Sequence, residues 1–232
     1  MSTTPEHERR APIVCYVTDR ASLGSAEPIA AVLRKIRLAV RAGADWIQLR
    51  EKDLSARELL SLVRDAVLAA SDAESAGRHA RVYVNDRLDV ALAAGAAGVH
   101  LGRESAPVAD VVRWCRAGNA PAAFEIGVSC HHLDDAHEAE RAGASYIFFG
   151  PVFETPSKRR FGRPQGIARL AEVCAAIKIP AIAIGGVNEE NLRECIEAGA
   201  SGIAAIRMFQ EASAAEKLAE SIARLHALEI RR

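Results

Sequence analysis

The stretch AGADWIQLR, Ala42–Arg50, decides the fold because it returns three times, as AGAAGVHLG from Ala94, AGASYIFFG from Ala142 and AGASGIAAI from Ala198. Its glycines, Gly43, Gly95, Gly143 and Gly199, are separated by 52, 48 and 56 residues. Each copy follows a helix-like stretch and leads into a short apolar run. A glycine at that junction ends a helix in the left-handed conformation at little cost, and a buried strand begins. A period of about 50 residues has room for two strand–helix units, so four repeats imply eight.

The spacing predicts strands near Ile13–Val17, Trp46–Leu49, Val82–Val84, Gly98–Leu101, Glu125–Val128, Tyr146–Phe149, Ala181–Ile184 and Gly202–Ala205. Each is a near-continuous apolar run, as parallel strands buried on both faces require. Helical patterns lie between them: ARELLSLVRDAVLAA behind the candidate N-cap Ser55, then LDDAHEAERAG and EENLRECIEAG. Eight alternating units in about 220 residues fit a TIM (β/α)8 barrel. An open doubly wound sheet is the competing architecture, but it does not predict the fourfold repeat. The expected organisation is one barrel domain over 12–232. A polar lead-in over 1–11 is expected to be mobile, without the apolar segment of a signal peptide.

The 232 residues are 50% hydrophobic and 26% charged, enough to bury a core, with Lys+Arg and Asp+Glu balanced at 30 each. That balance argues against nucleic acid or a membrane surface as partner, while leaving room for a local anion site. No window approaches the roughly 18 apolar residues of a membrane span. Cys15, Cys115, Cys130, Cys174 and Cys195 are scattered and odd in number. They suit free thiols in a reducing cytoplasm better than a disulfide frame or a zinc site.

In this fold the chemistry sits where the strands end. Strand 2 ends in Gln48-Leu49-Arg50-Glu51-Lys52, where alternation would put Gln48, Arg50 and Lys52 on one face as an anion site. The alternative is a surface ion-pair strip with Glu51 and Asp53. Strand 3 ends in Asn85-Asp86-Arg87. Asp86 is of the type that holds Mg²⁺ beside phosphate oxygens, or it and Asn85 cap the next helix. Strand 4 ends in Gly102-Arg103-Glu104-Ser105, and strand 5 in Ser129-Cys130-His131-His132. A hydroxyl and an imidazole there suit substrate orientation or proton movement, with a structural histidine as the alternative; Cys130 is expected to be inert. The long loop after strand 6, Gly150 to about Gly166, carries Thr155, Ser157 and Lys158, then Arg159, Arg160 and Arg163, and suits phosphate recognition and closure. Gly185-Gly186 before a helix capped by Asn188, and Ile206-Arg207, end strands 7 and 8, the usual phosphate cradle of the fold.

Taken together, YVTDR, QLREK, VNDRLDVALAAGAAGVHLG, GVSCH, FGPVFETPSK, IPAIAIGGV and GASGIAA resemble the thiamine-phosphate synthase family along nearly the whole chain after the first ten residues. The resemblance implies coupling of 4-amino-2-methyl-5-hydroxymethylpyrimidine diphosphate to a thiazole phosphate, with release of pyrophosphate. It implies a cytoplasmic transferase acting on phosphorylated small molecules, with Mg²⁺ as cofactor; a homo-oligomeric state stays open. By the same resemblance, Gln48, Arg50, Lys52, Asn85, Ser129 and Lys158 would bind the pyrimidine diphosphate, and Asp86 would hold Mg²⁺. The catalytic group among them would be Arg50, Lys52, Ser129 and Lys158. Thr155, Ser157, Gly186, Ile206 and Arg207 would take the thiazole phosphate. The chain departs from the family at Ser105, where a second magnesium aspartate is usual, so Ser105 or Glu104 would be at most a weak second ligand. It departs also at Arg103, where Gln is common, at Arg207, where Ser is usual, and mildly at Ser157. Arg103 is therefore expected to contact the diphosphate itself. The competing activity is that of the related thiazole tautomerase, which Asn85-Asp86 argue against; a non-catalytic ligand-binding barrel would leave the paired half-sites unexplained.

Overall fold

A computed structural model describes residues 11–74, 80–155, 164–212 and 214–228. The expected lead-in lies, apart from Ala11, outside them. Eight strands close into one parallel barrel in chain order: β1 (Ile13–Val17), β2 (Trp46–Leu49), β3 (Arg81–Asn85), β4 (Gly98–Leu101), β5 (Glu125–Cys130), β6 (Tyr146–Phe149), β7 (Ala181–Ile184) and β8 (Gly202–Ala205), with β8 pairing back onto β1. β3 and β5 run one or two residues beyond the apolar runs, because polar Asn85 and Ser129 still pair with their neighbours through the backbone.

Helices cover the outside: α1 (Pro28–Ala42), α2 (Ala56–Glu74), α3 (Leu88–Ala94), α4 (Val108–Trp114, continued as a π turn to Asn119), α5 (Leu133–Ala142), α6 (Gly166–Ala176), α7 (Leu192–Glu197), α8 (Arg207–Gln210) and α9 (Ala215–His226). Three of the repeat glycines do what the sequence asked. Gly43, Gly95 and Gly143 cap α1, α3 and α5 at φ 100°, 70° and 89°, and their N–H groups return to the last helical carbonyls. The fourth helix stops one residue sooner, at Glu197, with Ala198 still right-handed and Gly199 turning left-handed behind it. Ser55 is the N-cap expected: its hydroxyl accepts the Glu58 N–H, and the Glu58 carboxylate takes the Ser55 N–H and O–H, a closed capping box.

Strand alternation divides the apolar residues into two sets. One points outward and packs under the helices, including Val14, Ile47, Leu49, Val84, Val99, Leu101, Ile147 and Ile203. The other fills the barrel: Cys15, Val17, Trp46, Tyr83, Tyr146, Phe148, Ile182 and Ala204. Trp46, Tyr83 and Tyr146 meet with ring centroids 4.7–5.5 Å apart at the end where the strands begin. They fit because the facing strand is bare: a Cβ on Gly127 would lie 2.1 Å from the Tyr146 ring. The lumen is thereby plugged from below, and any ligand must enter from the end where the strands finish.

Candidate active site

The inward-facing residues nearest the open end are polar on one arc only. β2, β3, β4 and β5 supply Gln48, Asn85, His100 and Ser129; β1, β6, β7 and β8 supply Val17, Phe148, Ile184 and Ala204. Gln48 Nε2 donates to Asn85 Oδ1 at 3.4 Å, and Gln48 Oε1 is buried without a hydrogen-bond partner among the described residues. Orphaned buried acceptors are uncommon and concentrate at functional sites. His100 is 1% exposed. Its Nε2 lies 2.9 Å from Ser129 Oγ and its Nδ1 3.3 Å from the Tyr146 hydroxyl. Burial, with Arg50 nearby, pushes its pKa down to about 3, so the imidazole is neutral.

Above this arc the chain leaves β2 through Arg50, Glu51 and Lys52. The strict alternation read from sequence holds for Gln48 but stops at Leu49, and Lys52 stands in a turn. The expected alternative, an ion-pair strip of Arg50 and Lys52 with Glu51 and Asp53, is replaced by a different pairing. Glu51 turns inward beneath the loop, 5% exposed. Its carboxylate accepts the Thr18 hydroxyl at 2.6 Å, the Arg20 N–H at 3.1 and 3.2 Å, and Arg20 Nη1 at 3.1 Å. Arg20 also grips Asp53 with both Nη atoms, at 2.6 and 2.8 Å, and holds that carboxyl below its ordinary range. Thr18 Oγ1 accepts the Arg50 N–H at 3.0 Å. Arg20 has therefore taken both acids of the loop. Among the described residues, the Arg50 and Lys52 side chains have no carboxylate partner.

Asp86 follows Asn85 with φ +67°, the one non-glycine residue with positive φ among those described. Its N–H goes to the His100 carbonyl at 2.8 Å. The carboxylate is exposed and makes no hydrogen bond among the described residues. The helix-cap alternative is not what the geometry uses: α3 starts at Leu88 behind Arg87, without a side-chain cap. Ser105 Oγ is engaged locally, accepting the Gly102 N–H at 2.8 Å, and Glu104 is exposed. No group of three or more metal-ligating side chains occurs among the described residues.

A cavity of about 240 Å³ opens beside Ser129, lined by Gly102, Arg103, Val128, Ser129, His131, His132, Asp135 and Glu138. It brings Arg103 and Ser129 to one space. His131 and His132 are tied to the start of α5: Asp135 accepts both of their backbone N–H groups at 2.9 Å, and His131 Nδ1 bonds the Gly150 carbonyl. The imidazole beside the Ser129 hydroxyl is instead His100. Burial pushes the Cys130 thiol up to about 12, which keeps it protonated.

The opposite rim carries Gly186, Ile206 and Arg207. Residues 150–155 fold back onto the end of β7: Val152 and Phe153 N–H groups bond the Ile184 and Gly185 carbonyls at 2.9 Å. A Cβ on Gly186 would lie 2.5 Å from the Glu154 carbonyl oxygen. This glycine is thus demanded by the loop that covers it, a reason additional to approach by an anion. Asn188 Oδ1 caps the turn before α7, accepting the Glu190 and Asn191 N–H groups, while α7 itself begins at Leu192. Ile206 precedes α8, and Arg207 is exposed on it. Thr155 lies at the described edge of the covering loop. Ser157, Lys158, Arg159, Arg160 and Arg163 lie outside the described residues.

Sequence reading missed His100 and the Thr18–Arg20–Glu51 network. A signal for the first was present: two positions after Gly98, His100 must share that residue's inward face. The network joins residues 31 and 33 apart and is visible only once β1 and β2 are paired.

The sequence profile of the family described as thiamine monophosphate synthase matches residues 14–209. The chain is 41% identical over 213 residues to the thiamine-phosphate synthase of Moorella thermoacetica, covering 90% of this chain and 95% of that protein. It is 38% identical over 214 residues to that of Chlorobium phaeobacteroides, covering 92% and 96%. A solved thiamine phosphate pyrophosphorylase from Pyrococcus furiosus superposes with a TM-score of 0.77 at 31% identity, over 92% of this chain and 95% of that one. A TIM barrel with its polar arc on β2 to β5, matched over almost its full length, places the chain in the thiamine monophosphate synthase family.

Proposed function

We propose that this protein is a thiamine-phosphate synthase, a transferase that joins the pyrimidine carried on a diphosphate to a thiazole phosphate and releases pyrophosphate. The observation that carries the site assignment is the Arg20 pairing. By occupying Glu51 and Asp53 it leaves Arg50 and Lys52 to a ligand anion, on the strand end next to the one that carries Asp86. A guanidinium fork and an ammonium on one loop suit the oxygens of a diphosphate. Arg50, Lys52, Asn85, Ser129, Arg103 and Lys158 bind that group. Gln48, with its unpaired acceptor, faces the amino-substituted ring. Gly186, Ile206 and Arg207 on the opposite rim hold the thiazole phosphate, together with Thr155 and Ser157.

Mg²⁺ fits Asp86. An exposed carboxylate with no hydrogen-bond partner among the described residues, on the strand end next to the one that carries Arg50, is the single-carboxylate kind of site this ion accepts when phosphate oxygens complete its shell. The chemistry Mg²⁺ supplies when bound is neutralisation of charge on the leaving diphosphate. The residues do the rest. Arg50, Lys52 and Lys158 stabilise that developing charge, Ser129 donates a hydrogen bond to it, and the two rims hold the thiazole nitrogen in line with the pyrimidine methylene carbon as the C–O bond breaks. No base is required for this step. A tautomerase needs one, and His100, the imidazole bonded to Ser129, is engaged at both ring nitrogens.

The test is to incubate the pure protein with pyrimidine diphosphate, thiazole phosphate and Mg²⁺ and to measure thiamine phosphate, with a parallel assay for proton shift on the thiazole carboxylate tautomer. Thiamine phosphate is the expected product. Its absence together with tautomer conversion overturns the assignment.

A further inference from the structure

We propose that Tyr146, which lies below the mouth, is a positioning residue for Ser129: through His100 it turns the Ser129 hydroxyl proton into the cavity that Ser129 lines. Three polar groups in a line carry the inference: Tyr146 OH, the His100 ring and Ser129 Oγ, at 3.3 and 2.9 Å. A neutral imidazole has one donor nitrogen and one acceptor nitrogen, so the line has two possible directions. In one, Tyr146 donates to Nδ1, Nε2–H donates to Ser129 Oγ, and the serine proton is left over. In the other, Ser129 donates to Nε2 and Nδ1–H donates to Tyr146.

The tyrosine decides between them. It is 1% exposed, and among the described residues its hydroxyl has no hydrogen-bond partner except His100. The neighbouring Tyr83 hydroxyl is already committed to the Glu125 carboxylate. In the second direction the Tyr146 proton would be buried with no acceptor, at the full cost of desolvating a donor. In the first both buried donors of the line, the Tyr146 O–H and the His100 Nε2–H, have acceptors, and the one proton to spare is that of Ser129, a residue that lines the same cavity as Arg103. Packing holds the ring in place: His100 lies against Phe148 and Tyr146 at centroid distances of 4.3 and 5.6 Å. The mouth thus presents Ser129 as a donor to anionic oxygen. That the anion is a diphosphate rests on the function proposed above; the direction of the line does not.

Two measurements test it. The first is a long-range ¹⁵N–¹H correlation spectrum of the substrate-free labelled protein, with His100→Gln to assign the ring. It is expected to show His100 protonated at Nε2 with Nδ1 a hydrogen-bonded acceptor, and Tyr146→Phe, which keeps the ring, should move Nδ1 toward its unbonded value. A wild-type ring protonated at Nδ1 overturns the proposal. The second is a double-mutant cycle of Tyr146→Phe and Ser129→Ala, read by inorganic pyrophosphate binding and by kcat. Tyr146→Phe should weaken both roughly fivefold, about the worth of one neutral hydrogen bond, and should have no further effect once Ser129 is alanine. Equal losses in both backgrounds overturn it. Neither the spectrum nor pyrophosphate binding needs turnover, so failure of the synthase assignment would show separately, as absence of thiamine phosphate beside an intact tautomer and cycle.

Discussion

Asp86 combines a conformation and a chemistry that pull apart. A side chain at φ +67° is strained by its Cβ, and only the surroundings hold it there. Asp86→Ala and Asp86→Gly should both lose at least about 100-fold in thiamine phosphate formation, as expected when charge stabilisation at a leaving group is removed. Glycine relieves the αL penalty of about 1 kcal/mol and alanine does not, so the glycine variant should melt roughly 2–4 °C above the alanine variant. Calorimetry on the pair, beside the product assay, checks both; equal melting temperatures would mean that the backbone there is unstrained. Asp86 was legible as a metal-ligand candidate from Asn-Asp at a strand end. Its left-handed backbone was not, because nothing local demands it: the Asp86 N–H is drawn to the His100 carbonyl across the β3–β4 pair.

At the scale of elements, the loops after β1 and β2 act as one piece. Thr18 and Arg20 of one hold Glu51 and Asp53 of the other, and the 3-10 turn over Arg20–Leu23 is tied to α8 through Gln210, which donates to the Asp19 carbonyl at 2.7 Å and accepts from the Ser22 hydroxyl at 2.6 Å. In Arg20→Met, Glu51 and Asp53 become competitors for Arg50 and Lys52. The KM for pyrimidine diphosphate should rise roughly fivefold, the worth of about 1 kcal/mol of exposed ion pairing, with a smaller change in kcat. Glu51 would also keep a buried charge without its cation, so the melting temperature should fall, by about 3 kcal/mol of stability. Arg20→Lys restores charge without the fork and should recover part of the KM effect. An unchanged KM in the methionine variant would show that Arg50 and Lys52 owe nothing to this pairing. At the same scale, Ser55→Ala removes the capping box of α2 and should cost about 1 kcal/mol, read by denaturant titration.

At the scale of the molecule, the C-terminal helix is pinned to the closed end of the barrel. His226 Nε2 on α9 lies 2.9 Å from Asp45 Oδ2, which also accepts the Val14 N–H at 2.8 Å. The hydrogen bond to Asp45 raises the His226 pKa above its ordinary value of 6.5. A raised folded-state pKa adds stability that is fully present below 6.5 and is lost as pH rises through the folded value. Both side chains are about a third exposed, so solvent screening limits the contribution to about 0.5–1 kcal/mol. Wild type should therefore lose roughly 2 °C more than His226→Gln between pH 6 and pH 8.5. Parallel pH profiles of the two melting temperatures would show that the pair is not coupled to folding.

The sequence by itself determined the barrel, all eight strands to within two residues, and the rims on which Gln48, Arg50, Asn85, Asp86, Ser129 and Gly186 stand. It could do so because buried parallel strands are local apolar runs and helix ends are local glycines, so the repeat writes both into nearby residues. Tertiary structure alone decided which partner each polar group takes. Glu51 turned from a candidate partner of Arg50 into the counter-ion of Arg20, His131 Nδ1 took the Gly150 carbonyl, and His100 took the Ser129 hydroxyl. Those choices depend on strand register and on groups tens of residues apart, and the cost of burying a charge or a proton without a partner is what selects among them.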